Sequence, residues 1–552
     1  MFPVRSSIRL LSLFLLALPF SCTHDGTLEI ELDIETDDNA LNPLRNPALA
    51  TFKLTLTSSS FIEEGSQSYL SGNHHINFGD IPTGTFSKAS VAAISYSGAL
   101  VAYGEFRNRF RVDASDPTRI RVPLRFPFVY ATGGTEVAAL HPELDFSSAT
   151  FSDIMVGTPA DISTASAVTP DGKMLAVFSA NASGSVKLWI YLTGNHQRAV
   201  EFQLSRPDRV SAAMFSPDGS TLVLMSTDGD WVSFLNVPGF LEGESREGSF
   251  FYQEVESPVA AGFFSDDSVA ILSSSPYRHD TCDAPPASAL TWFFLSTPLR
   301  SAADVQLAAT TTLTSYTSGM TVDAAADRLY LAHPCSTEIS AMRPGTAGPS
   351  VVLALLNLSP CLRPVRLLAD STVLNVACVT AADTVNPQWS AAKLLLQRFS
   401  LTPQLSPNAR TLVIDYPSEP IAYKPANMPD GTSLLILQAP ERVLPHFIGL
   451  TAQGSRLVVA AEAYYHSSPI PVGSTNLEET FSKSHSILFV DPRLSMLDRR
   501  VRTACFPVDN HLDNTPPEGG FSSSYCSNNM GSIETTTTSF IPSQLSIVYG
   551  TP

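Results

Sequence analysis

Two stretches of this chain, Ala167 to Val177 and Met214 to Leu224, share a signature that leaves the backbone little choice: an apolar run enters Pro-Asp-Gly and a second apolar run leaves it. Pro presets φ at the first corner of the turn and Gly accepts positive φ at its end, so the chain reverses between two strands. Looser forms of the hairpin recur at Val259 to Ser273, Met320 to His333, Val365 to Cys378, Ile421 to Gln438 and Ile448 to Ala461. The turn positions Asp171, Asp218, Asp266, Ala325, Asp370, Asp430 and Gln453 are separated by 47, 48, 59, 45, 60 and 23 residues. Further strands follow each hairpin, among them Val186 to Leu192, Trp231 to Val237 and Trp292 to Leu295.

A four-stranded unit repeated at this length predicts an all-β chain dominated by a β-propeller over residues 129–500. Seven blades are favoured, with six as the alternative, because the interval of 23 residues is too short for a full blade. At 552 residues the chain also needs a second, smaller domain. Residues 26–128 supply it: Leu28, Ile30, Leu32 and Ile34 alternate on one strand and Phe52, Leu54 and Leu56 on another, the pattern of a β-sandwich. Residues 501–552 read as a partly irregular tail. With 16% charged residues, a net charge of -18 and no basic stripe, the chain is not built to hold a phosphate backbone, which excludes nucleic acid as partner.

Residues 1–22 carry an address. Arg5 and Arg9 precede an apolar run, Leu10 to Phe20, too short to cross a bilayer, which ends at Ser21-Cys22. This resembles the bacterial lipoprotein signal, although Pro19 and Phe20 depart from its pattern. The resemblance implies cleavage before Cys22, lipidation of its thiol, and a place at the outer membrane or cell surface, with Thr23 next in line. An ordinary cleaved signal would leave the protein periplasmic or secreted. Removing Cys22 leaves six cysteines, an even number suited to an oxidising compartment. If Ala369-Asp370 is a two-residue turn, Leu368 faces Ser371 and the same register sets Cys361 across from Cys378, within disulfide reach. Cys282 and Cys335 each follow the second strand of successive repeats, which makes them a second candidate pair; for each pair the alternative is free buried thiols. Cys505 and Cys526 form a third, stapling the tail. No two cysteines have metal-ligand spacing.

Ser185-Val186-Lys187-Leu188-Trp189 and Ser216-Pro217-Asp218-Gly219 resemble the strand and turn of WD40 and TolB-type repeats. Ile190 stands where the motif has Asp and no Gly-His pair opens the repeats, so the resemblance does not extend to the Asp-His-Ser/Thr-Trp network. Ile76-Asn77-Phe78-Gly79-Asp80-Ile81-Pro82-Thr83-Gly84-Thr85-Phe86 resembles a turn of prealbumin-like, carboxypeptidase-regulatory-like domains, which implies a spacer or binding module.

Other constellations read as structure. Ser226-Thr227-Asp228-Gly229-Asp230-Trp231 fails the spacing of a sialidase Asp-box and is a hairpin turn with a Trp after it. The acidic groups at Asp33, Glu35, Asp37 and Asp38 and at Asp509 and Asp513 lack calcium-loop spacing. Histidines such as His141, His196, His333 and His446 are scattered, and no Gly-x-Ser-x-Gly elbow is present. No catalytic residue, metal or cofactor is assigned. The expectation is a cell-envelope lipoprotein whose propeller is a scaffold for a protein or glycan, meeting the membrane only through its lipid. The alternative is a lactonase-like or glycan-cleaving hydrolase.

Overall fold

The computed structural model describes residues 25–34, 41–58, 62–132, 136–144, 154–155, 161–181, 183–243, 246–274, 287–324, 327–333, 335, 338–345, 348–357, 361–370, 372–380, 393–401, 409–414, 421–423, 435–437, 442–468, 480–508, 534–537 and 544–547. Nearly all of them lie in strands or the turns between; among them a single α-helix, Val237–Glu242, interrupts the pattern.

The N-terminal part is two facing sheets, with a two-stranded ribbon of Gly84–Phe86 and Phe110–Val112 beside them. One has the order Ile62–Ser68, Leu49–Thr57, Lys88–Ser95, Leu100–Phe106, and the other His75–Pro82, Asp25–Asp33, Thr118–Pro123. Alternation works as the sequence predicts: Leu28, Ile30, Leu54 and Leu56 are fully buried, while Glu29 and Glu31 face outward to Arg119 and Arg121.

Seven further sheets follow. Sheet 1 comprises Val129–Thr132, Glu136–Leu140, Ile154–Met155 and, returning from the C-terminal end, Gln544–Ile547. Sheets 2 to 6 are four-stranded meanders over residues 161–203, 212–254, 258–313, 319–357 and 361–414. Sheet 7 has seven strands within 421–508 and 534–537. The first strand of each of sheets 2 to 6, with Arg442–Leu450 of sheet 7 and Gln544–Ile547 of sheet 1, touches the next in a closed circuit.

The cores follow the same circuit. Phe178 and Leu188 of sheet 2 pack on Leu222 and Trp231 of sheet 3; Val223 and Phe234 on Val269 and Phe293 of sheet 4; Leu272 and Trp292 on Leu329 and Leu331 of sheet 5. Tyr330 and Ile339 then meet Leu374 and Val376 of sheet 6, Ala377 and Leu396 meet Val459 and Leu488 of sheet 7, and Val458 and Phe489 return to Val129 and Ala131. A sheet covered on both faces has no reason to alternate, so its middle strands are apolar throughout; all of Thr221–Ser226 is buried. This is a β-propeller built on radial sheets.

The two Pro-Asp-Gly turns form as read. Gly172 and Gly219 have φ of 70° and 75°, and Asp171 and Asp218 accept hydrogen bonds from the preceding Thr169 and Ser216 hydroxyls at 2.6 Å. The expected register of the hairpin after Cys361 is corrected. Leu368 faces Asn375 and Ala369 faces Leu374, so the reversal comes two residues later than Ala369-Asp370, and a bulge between Leu362 and Arg366 sets Cys361 opposite Thr380, not Cys378. The expected end of the propeller at residue 500 is also corrected: Leu497–Val508 runs through it, and strands of the tail join sheets 7 and 1.

Candidate functional site

Hairpins that leave the innermost strands all turn at one end of the ring, which gathers Asp171, Asp218, Asp266, Asp267, Asp327 and Asp370 there. Neighbouring turns touch: the Asp218 backbone N–H donates to Asp266 Oδ1 at 2.8 Å, across the junction of sheets 3 and 4. Burial pushes the Asp218 carboxyl up, but the Ser216 hydroxyl and the Ser220 amide outweigh it and hold the group below its ordinary value. Burial and the nearby Asp218 charge push Asp266 the other way, up.

Polar groups of another kind join sheets 5, 6 and 7. Arg366 stands between Val365 and Leu367 on the innermost strand of sheet 6, and its guanidinium donates from Nε to His446 O and from Nη1 to Ser318 O, both at 2.6 Å. One side chain thereby ties three neighbouring sheets. Burial pushes its pKa down. Close by, His333 Nε2 lies 2.7 Å from Ser340 Oγ and Nδ1 lies 3.0 Å from Thr317 Oγ1, while Thr317 N–H donates to Ser288 Oγ at 2.9 Å. A Ser–His contact is a nucleophile's geometry only where substrate can reach the oxygen. Ser340 is 4% exposed, so the chain locks sheet 4 to sheet 5. Exposed apolar side chains on innermost strands, Ile162, Met214 and Val259, add a mixed apolar surface on sheets 2 to 4.

The Asp228 hairpin is structural in its contacts. Trp231 is fully buried and its indole N–H donates to Asp208 Oδ2 at 3.2 Å, while Asp228 stays exposed, 3.4 Å from Arg209. In sheet 2 the Trp189 indole donates to Ser179 Oγ at 2.8 Å, a contact between adjacent strands.

Among the described residues no group of three or more His, Cys, Asp or Glu side chains is placed to hold a metal. Cys22, Cys282 and Cys526 and the acidic residues Glu35, Asp37, Asp38, Asp509 and Asp513 lie outside the described residues, as do the side chains of Cys361 and Cys505. Cys335 and Cys378 are each disulfide-bonded. Sequence reasoning passed over Arg366, for which a lone charge in Val365-Arg366-Leu367-Leu368 was the available signal, and Asp208, for which there was none.

No protein-family model matches the chain, and no curated protein sequence does. Similar solved structures include hydrazine synthase of Kuenenia stuttgartiensis, at 14% identity over 56% of this chain and 78% of that one with a TM-score of 0.37. The β-propeller domain of Myceliophteria thermophila Cps50 (Swd1) matches at 13% over 60% and 92%, with a TM-score of 0.33. The WD40 repeats of RRP9 match at 9% over 62% and 80%, also at 0.33. Superpositions this loose add nothing to what the chain's own ring of sheets establishes.

Proposed function

We propose that this is an exported envelope protein, lipid-anchored at Cys22, whose sandwich holds a seven-bladed propeller away from the membrane as a binding scaffold for an envelope protein or glycan. The observation that carries the reading is the direction of strand Asp25–Asp33. Its first residue pairs with Pro82 at one end of the sandwich; its last accepts a hydrogen bond from Leu124 N–H, beside the Phe126 and Phe128 that lead into sheet 1. Nine residues at about 3.3 Å each separate the two ends by roughly 30 Å. Only Thr23 and His24 stand between Cys22 and that strand. A lipid on Cys22 therefore sets the far end of the sandwich on the membrane and the ring on the other side, free to present its loops.

The crosslinks belong to the same proposal. Cys361 lies on the strand paired directly with that of Cys378, and Cys282 and Cys335 occupy the same connection in neighbouring sheets 4 and 5. Cys505 with Cys526 completes the set. Cells grown with labelled palmitate test the anchor: the wild type takes up label and fractionates with membranes, and Cys22→Ser does neither. An unlabelled wild type that fractionates like Cys22→Ser overturns it. The scaffold reading fails if the purified protein turns over any of a panel of lactones and glycosides.

A further inference from the structure

The ring closes on a short latch. Gln544–Ile547 pairs with Val129–Thr132 over four residue pairs, and it sits between the innermost strands of sheets 7 and 2. The sandwich lies on the same seam. His141 and Glu143, which follow the second strand of sheet 1, reach into it: His141 Nε2 is 2.8 Å from Val101 O, and the Glu143 carboxylate accepts the Leu100 N–H. Arg456, in the turn between Arg442–Leu450 and Leu457–Ser468 of sheet 7, brings Nη1 to 3.7 Å from the other Glu143 oxygen and Nε to 2.9 Å from Asp498 of the same sheet. The Asp498 contact is coulombic, since its N–H is not aligned as a hydrogen bond. Glu143 is 6% exposed, so removing the cation leaves a buried charge with less to hold it. Beside it, Ala452 is buried in the apolar cluster that runs from the sandwich into sheets 1 and 2.

We propose that the sandwich is a clasp on the ring: its docking on Glu143 and Arg456 is coupled to pairing of the C-terminal strand, so that domain and seam open together. One ion network touches the sandwich backbone, sheet 1 and sheet 7, the two sheets that the four-residue strand Gln544–Ile547 joins. Such a coupling is reciprocal, and both directions are measurable.

Native-state hydrogen exchange on the full-length protein tests it. Arg456→Met is expected to lower the protection of residues 129–132 and 544–547 by about tenfold or more while residues 221–226 of sheet 3 keep theirs. In the other direction, Leu545→Pro, which breaks the latch strand, is expected to lower protection of Leu100–Ala102 in the sandwich by a similar factor. Unchanged exchange at the seam in Arg456→Met, equal loss in sheet 3, or unchanged exchange at Leu100–Ala102 in Leu545→Pro would each overturn the proposal.

Discussion

Gly262 records how closely neighbouring innermost strands approach. A Cβ there would stand 2.4 Å from Val322 Cγ2 on the next sheet, so Gly262→Ala must push two sheets apart. It should cost about 1–3 kcal/mol by denaturant unfolding, whereas Gly79→Ala, with nothing within 4 Å, should stay within about 0.5 kcal/mol. Two aspartates near Trp231 make a similar contrast. Asp208→Ala strips a buried indole of its acceptor and should cost about 1–2 kcal/mol; Asp228→Ala, at an exposed ion pair, should change stability by less than about 0.5 kcal/mol. His196 sets an acid limit. It sits in a turn of sheet 2 with Nε2 2.9 Å from the Tyr130 hydroxyl, its ring against Phe128, and burial pushes its pKa down to about 4. The unfolded chain takes up that proton near the ordinary value of 6.5 and the native one only near 4, so native stability falls as pH drops between them and is unaffected above about 7. Unfolding free energies at pH 7.5 and 4.5 should differ by up to about 3 kcal/mol more in the wild type than in His196→Phe.

At the scale of elements, what could be read from the sequence was local. The Pro-Asp-Gly turns dictate their own geometry, and Gly172 and Gly219 take the positive φ those turns need. The alternation of Leu28, Ile30 and Leu32 needs only the strand's own pleat. What could not be read depends on partners distant in sequence. The hairpin after Cys361 slips because its turn comes later than read, the Asp370 N–H donating to Val373 O, and the bulge between Leu362 and Arg366, which holds Pro364, takes back only part of the shift. Gln544–Ile547 is four residues whose meaning lies in Val129–Thr132, the strand that begins the ring, far back along the chain. Likewise Ser340 and His333 are unremarkable until adjacent strands bring them to 2.7 Å. The crosslinks test the elements' arrangement: non-reducing peptide mapping should join Cys378 to Cys361 and Cys335 to Cys282, and Cys378 joined to Cys282 would rule out both pairings.

The whole molecule is a ring whose stability depends on being closed. Each sheet buries its faces on its two neighbours, so an open ring would leave two sheet faces bare, and the closing contact, Val129 and Ala131 on Val458, Ile487 and Phe489, is as dry as the others. Closure also fixes where the hairpin turns converge and where the sandwich docks, and hence the surface a partner can meet. The measurement that bears on this most directly is a crosslink across the seam. Ala131 and Leu545 are register partners, so a double variant Ala131→Cys, Leu545→Cys should form an intramolecular disulfide on mild oxidation and unfold at a higher temperature than its reduced form. Failure of the two thiols to join within one chain, with the protein otherwise folded, would show that the C-terminal strand does not close the ring.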